Sequence, residues 1–221
     1  MKTLLEQHWP LNITIDQSTS LNKQFYQDVL SVRNDPYNYN DLTKLMHKFD
    51  RYSDHYRLSI NGKVTGSLSI TQARMGKMDC QEYVPKCLLD NFHDSISSAC
   101  KFRVIKNEVK QIEKRSMLAL PKKVIQCAFT DQLSKGTRLD IINASVAFSR
   151  YYRQIGYVEI ENSLFIHPTL GTKSVIMYLP ADPSRQSIGQ ELFSSIDNQL
   201  PLKNVQRVLT RKPFFLSRTA A

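Results

Sequence analysis

No run of eighteen apolar residues occurs in this 221-residue chain, which argues against an ordinary membrane-spanning helix and integral membrane association. The opening MKTLLEQHWP turns polar at Glu6, Gln7 and His8 before the apolar core of a signal peptide could form, so a cytoplasmic protein is expected. Cys-x-x-Cys pairs are missing as well. The four cysteines, Cys80, Cys87, Cys100 and Cys127, stand 7, 13 and 27 residues apart with no histidine at zinc-ligand spacing. Reduced, mostly buried thiols are therefore expected, with no metal and no disulfide. Internal repeats, low-complexity tracts, and helix-turn-helix, RNP-like or zinc-finger patterns are absent too. That counts against a non-enzymatic nucleic-acid-binding module, the alternative a net charge of +10 would otherwise favour.

What is present suits one soluble domain. Apolar residues make up 41% and charged residues 23%, enough to fill a core. The excess positive charge implies an acidic partner: nucleic acid, an anionic surface, a phosphate-bearing cofactor or an acidic carrier protein. Lys and Arg gather between Lys101 and Lys123 and again from Lys203 to Arg218.

Periodicity sets the order of elements. Leu21, Phe25, Val29 and Val32 mark an amphipathic helix with Ser20 as its cap, and a second helix is expected from Asp41 to Phe49. HYRLSINGKVTGSLSIT reads as a hairpin turning at Asn61-Gly62, and ISSACKFRVIKN as a third strand. A helix from Glu108 to Ser134, interrupted before Pro121 and stopped by Gly136, follows. RLDIINASV is a strand, AFSRYYRQIG a short helix, and YVEIENSLFIHP and KSVIMYLP close the sheet. SRQSIGQELFSSIDNQL reads as a terminal helix, and residues 201–221 as a basic, partly disordered tail. The expectation is an α/β mixed sheet with helices on both faces, residues 1–182 forming one domain and 183–221 an appended helix and tail.

The stretch Tyr152, Arg153, Gln154, Ile155, Gly156, Tyr157 matches the Tyr-x-x-x-Gly-aromatic motif that follows a strand in the GNAT superfamily of N-acyltransferases. With the preceding helix, hairpin, strand and helix, the chain resembles that superfamily over most of residues 20–180. Its N-terminal half is similar to the acyl-homoserine-lactone synthases and N-acyl amino acid synthases. Arg33 and Tyr37 match their helix-borne Arg and aromatic, and Phe49-Asp50 matches the acidic element before their hairpin. His47, Ser69 and Ser98 stand where the lactone synthases carry an acid, an Arg and a Glu. Those departures favour the group that joins fatty acyl chains to an amino acid, small amine or peptide amine over the alternative lactone synthase.

The resemblance implies a sheet in which two central strands splay apart to admit a pantetheine thioester. It makes Tyr152 the acid for the leaving thiolate, Asp50 a catalytic or acceptor-binding residue, and Arg33 and Tyr37 substrate-binding residues. Backbone groups of Phe102, Arg103, Val104 and Ile105 become the oxyanion and donor site. Asp50, Glu108, His55 and His47 are candidates for the base. Coenzyme A enzymes of this type hold the pyrophosphate in a glycine-rich turn, but KNEVKQIEKRSM has no glycine. Lys106, Lys110, Lys114 and Arg115 could instead grip one phosphate by side chain, which fits an acyl carrier protein as donor partner. Acyl-coenzyme A is the alternative donor, as in an acetyl-coenzyme A-dependent acetyltransferase.

Overall fold

The structure, a computed structural model, describes residues 1–7, 12–35, 37–105, 114–180 and 201–210, side chains at 114–119 and 122 excepted. One sheet holds nine strands: β1 Lys2–Gln7, β2 Ile13–Thr19, β3 Ser53–Ile60, β4 Lys63–Gln72, β5 Ile96–Val104, β6 Leu139–Ser145, β7 Val158–Glu159, β8 Phe165–Ile166 and β9 Lys173–Leu179. Their order is β1-β2-β3-β4-β5-β6-β9-β7, with β8 also paired to β9. Every pairing is antiparallel except β5 with β6.

The helices are α1 Lys23–Asn34, α2 Lys86–Phe92, α3 Lys114–Ser134, α4 Val146–Gln154 and α5 Leu202–Thr210. Along α3, Leu120, Val124, Ala128 and Leu133 recur at helical spacing on one face and bury it against Ile15, Tyr56, Leu58 and Leu68 of the sheet. The strands alternate, so His55 and Ser69 point the other way, toward α1. Leu88 of α2 and Val205 and Val208 of α5 cover Leu139, Ile141 and Ile176. Helices thus lie on both faces, as expected. No helix among the described residues is long and apolar enough to cross a membrane.

Several expectations are corrected. The chain opens with two strands ahead of α1, because β1 and β2 extend the hairpin sheet with Ile13 and Ile15 on the α3 face. Asn22, not Ser20, caps α1 by accepting from the Phe25 amide at 3.2 Å. In place of a second helix, 3₁₀ turns at Leu42–Leu45 and Asp50–Tyr52 wrap Asp50 against α1. Helix α3 runs through Pro121 without a break, its buried face outweighing the one lost amide bond. Residues 157–168 give two short strands rather than one, divided by Asn162 at φ 59°. The segment read as tail includes α5, held by Val205 and Val208, whereas the helix expected at 184–200 and the stretch 211–221 lie outside the described residues.

Candidate active site

Strands β5 and β6 are joined only at their beginnings, through Ile96–Leu139, Ser97–Asp140 and Ser98–Ile141. Beyond Ser98, β5 stays on β4 as far as Val104 and β6 stays on β9 as far as Ser145. The two therefore part, and the opened edge of β5 faces no strand among the described residues. A bulge reinforces this: the β4–β5 register shifts between Ser67 and Ser69, so Lys101 and Phe102 together oppose Leu68, and Lys101 adopts φ 54°.

Backbone alternation then sorts the predicted donor site. The Ile105 amide bonds the Thr65 carbonyl at 2.8 Å, and the Arg103–Ser67 pair lies two residues away on the same ladder. The amides of Arg103 and Ile105 therefore face β4, leaving Val104 and Phe102 to face the open side. The Arg103 side chain pairs with Asp35 at 2.8 Å. Lys106 and Lys110 lie outside the described residues, as do Glu108 and the side chains of Lys114 and Arg115.

Asp140 sits where the strands separate. Fully buried, its carboxylate accepts from Tyr157 Oη at 2.6 Å, Ser97 Oγ at 2.8 Å and the Ala99 amide. The Ala99 amide is the first on β5 beyond the joined segment, so this side chain takes the bond that β6 would otherwise receive. Burial pushes the Asp140 carboxyl up to about 7 against the pull of those donors. Tyr157 in turn meets Tyr152 edge to face at 5.7 Å, and Tyr152 meets Tyr151 at 5.5 Å. Tyr152 is part-buried and its phenol, pushed up to about 12 chiefly by burial, holds its proton at neutral pH.

The raised Asp140 predicts a pH-dependent difference on substitution. Between its ordinary value of 3.8 and about 7 the folded chain holds a proton that the unfolded chain releases, so this group's contribution to stability falls as pH rises through that window. His55, pushed down to about 4, contributes with the opposite sign, gaining as pH rises toward 6.5. Comparing Asp140→Asn with wild type isolates the first effect. The variant should gain on wild type by up to about 4 kcal/mol between pH 4 and 8 in urea unfolding, at about 1.4 kcal/mol per pH unit; a constant difference contradicts this assignment.

Arg33 and Asp50 come together as a buried pair, Nη1 to Oδ2 at 2.7 Å and Nη2 to Oδ1 at 3.0 Å. Tyr26 Oη, at 2.6 Å, and the His47 amide, at 2.8 Å, also donate to Asp50, whose carboxyl falls to about 2. A carboxylate so held is a poor proton acceptor. Arg33 also donates to Ser69 Oγ at 2.7 Å, and the Ser69 hydroxyl donates to His55 Nδ1 at 2.8 Å. The neutral His55 then donates from Nε2 to the Asp50 carbonyl at 3.2 Å. This network orders the junction of α1 and the hairpin. Tyr37 is not part of it: 51% exposed, it stacks on Tyr39 at 5.3 Å.

Sequence reasoning missed Asp140 and a second group, Asp79, Cys80 and His167, whose polar atoms lie within 4.8 Å of one another. All four cysteines are free, and burial pushes the thiols of Cys80 and Cys100 up to about 12, far from nucleophilic.

No family model and no curated protein matches the sequence. Solved structures do match the fold. FeeM, an N-acyl amino acid synthase from uncultured soil microbes, aligns at 11% identity over 78% of this chain and 92% of that one, with a TM-score of 0.56. LasI, an acyl-homoserine-lactone synthase, aligns at 11% over 76% and 88%, with a TM-score of 0.56. MesI, a coenzyme A-dependent acyl-homoserine lactone synthase, aligns at 15% over 82% and 94%, with a TM-score of 0.53. The chain shares the fold of these synthases, mixed sheet and flanking helices included.

Proposed function

We propose that this protein is an N-acyltransferase that moves an acyl group from a pantetheine thioester to an amine. The observation that carries the proposal is the parting of β5 and β6 after Ser98 and Ile141, beside the contact chain Asp140–Tyr157–Tyr152. An extended pantetheine arm fits such an opening as a substitute strand, its amides pairing with the unoccupied edge of β5. The Phe102 and Val104 amides then face the thioester carbonyl and stabilise its oxyanion. As the amine nitrogen attacks, the C–N bond forms and the C–S bond breaks. Starting from an ammonium, one proton leaves to solvent and another ends on the thiol, with the Tyr152 hydroxyl donating to the departing sulfur.

Acyl carrier protein is the proposed donor, supported by the glycine-free KNEVKQIEKRSM stretch and the charge of +10, which suits an acidic partner. The fatty acyl chain and an amino acid, small amine or peptide amine as acceptor complete the proposal. Release of free thiol and intact-mass detection of the amide test it, with octanoyl carrier protein and octanoyl-coenzyme A run in parallel. Turnover with the carrier protein supports the full reading. Turnover with coenzyme A alone moves the donor assignment, and neither product nor thiol from either donor defeats it.

A further inference from the structure

Asp79 lies on the α1 side of the opened strands, between them. Its Oδ2 is 3.4 Å from Asn143 Nδ2 on the free part of β6, and, after burial, its charge adds to the raising of the Cys100 thiol on β5. Its other neighbours are Cys80 Sγ and His47 Nε2, each 3.9 Å away. A charge-assisted bond to a carboxylate runs at about 2.7–2.9 Å, so all these contacts are long. His47 is held toward its neutral form by burial, and no Lys or Arg among the described residues pairs with Asp79. The nearby Asp50, by contrast, is fully matched by Arg33. Among the described residues, then, this part-buried carboxylate beside the free part of β6 has no Lys or Arg paired to it.

A metal ion is the obvious occupant on ligand types, but the histidine opposes it. His167 Nδ1 accepts from the Thr169 and Leu170 amides, each at 3.2 Å, so the ring carries its proton on Nε2 and has no lone pair to give a metal. An organic ammonium needs no such ligands: it brings three N–H donors to one carboxylate.

We propose that Asp79 is the docking residue for the acceptor, which arrives as a primary ammonium at the mouth of the β5–β6 opening. This rests on the acyltransferase reading and adds the charge that the acceptor carries. The carboxylate lies across the opened strands from the Asp140–Tyr157–Tyr152 side, so donor and acceptor approach from opposite faces of the sheet.

Wild type and Asp79→Asn are compared for octanoyl-thioester cleavage with n-butylamine, L-leucine and a lysine-containing peptide as acceptor probes, alongside slow cleavage with no amine added. The expected result is amine-stimulated cleavage whose KM for the amine rises about 30-fold or more in Asp79→Asn. A wild-type KM in the variant overturns the proposal, as does cleavage that no amine stimulates; both leave the donor reading intact. Absence of any thioester cleavage defeats that reading itself. A second measurement needs only wild type: n-butylamine should compete with the active acceptor at least tenfold better than 1-butanol, and equal competition overturns the proposal. Binding of zinc sulfate at micromolar concentration, lost in Asp79→Asn, assigns the cluster to a metal and overturns it too.

Discussion

Tyr152→Phe lowers kcat for acyl transfer about a hundredfold while leaving KM for the thioester within about threefold. The size follows from the chemistry. General acid catalysis contributes roughly 10²–10⁴, and a thiolate, already a stable leaving group, calls for the low end of that range. The substitution deletes one oxygen from a ring held by Tyr151 and Tyr157, so packing is preserved. A positional role alone would give the same loss with every donor. Proton donation to sulfur predicts that the deficit shrinks with an octanoyl thioester of an acidic aromatic thiol, whose sulfur needs less help. Stopped-flow thiol release across donors of falling thiol pKa reads this directly.

The largest loss of stability is expected at Arg33→Met, about 3–5 kcal/mol in urea unfolding. The guanidinium and the Asp50 carboxylate are both almost wholly excluded from water, so removing the cation leaves an unpaired buried charge. It also removes the donor to Ser69 Oγ, on which the His55 tautomer depends. Replacing both charges avoids that penalty, so Arg33→Met with Asp50→Leu should be more stable than Arg33→Met alone. A double variant weaker than the single one would show that the pair acts chiefly through its hydrogen bonds to Tyr26 and the His47 amide.

What the sequence reveals and hides follows from the range of the interactions. The β3–β4 hairpin is legible because Asn61 and Gly62 both take positive φ, 51° and 77°, a choice the two-residue loop makes locally. The helical face of α1 is legible for the same reason. Strands β1 and β2 are not, since Ile13 and Ile15 are the residues of β2 that reach the core and Asp16, inside that strand, is buried beneath bonds from Arg57 of β3 at 3.0 Å and Thr3 of β1 at 2.8 Å. The segment from Asp41 to Phe49 reads as a helix because the real determinant of the 3₁₀ turns found there, the grip of Arg33 on Asp50, spans 17 residues. Asp140 is illegible on the same grounds. In RLDIINASV it looks like an ordinary solvent-facing strand residue, and its burial depends on Tyr157 and Ser97, 17 and 43 residues away. The Asp79–His167 neighbourhood joins residues farther apart still, and nothing in their spacing announces it. Tyr152 is marked by the short motif it opens, whereas the parting of the strands follows from the resemblance and from no pattern within the strands themselves.

The central claim is that the gap between β5 and β6 receives a pantetheine-borne thioester. Hydrogen exchange of the wild-type chain, with and without octanoyl carrier protein and octanoyl-coenzyme A, tests it at residue resolution. The account predicts that a donor slows exchange at the Phe102 and Val104 amides while Arg103 and Ile105, already bonded toward β4, stay as they were. Unchanged exchange at Phe102 and Val104 under saturating concentrations of both donors would contradict it.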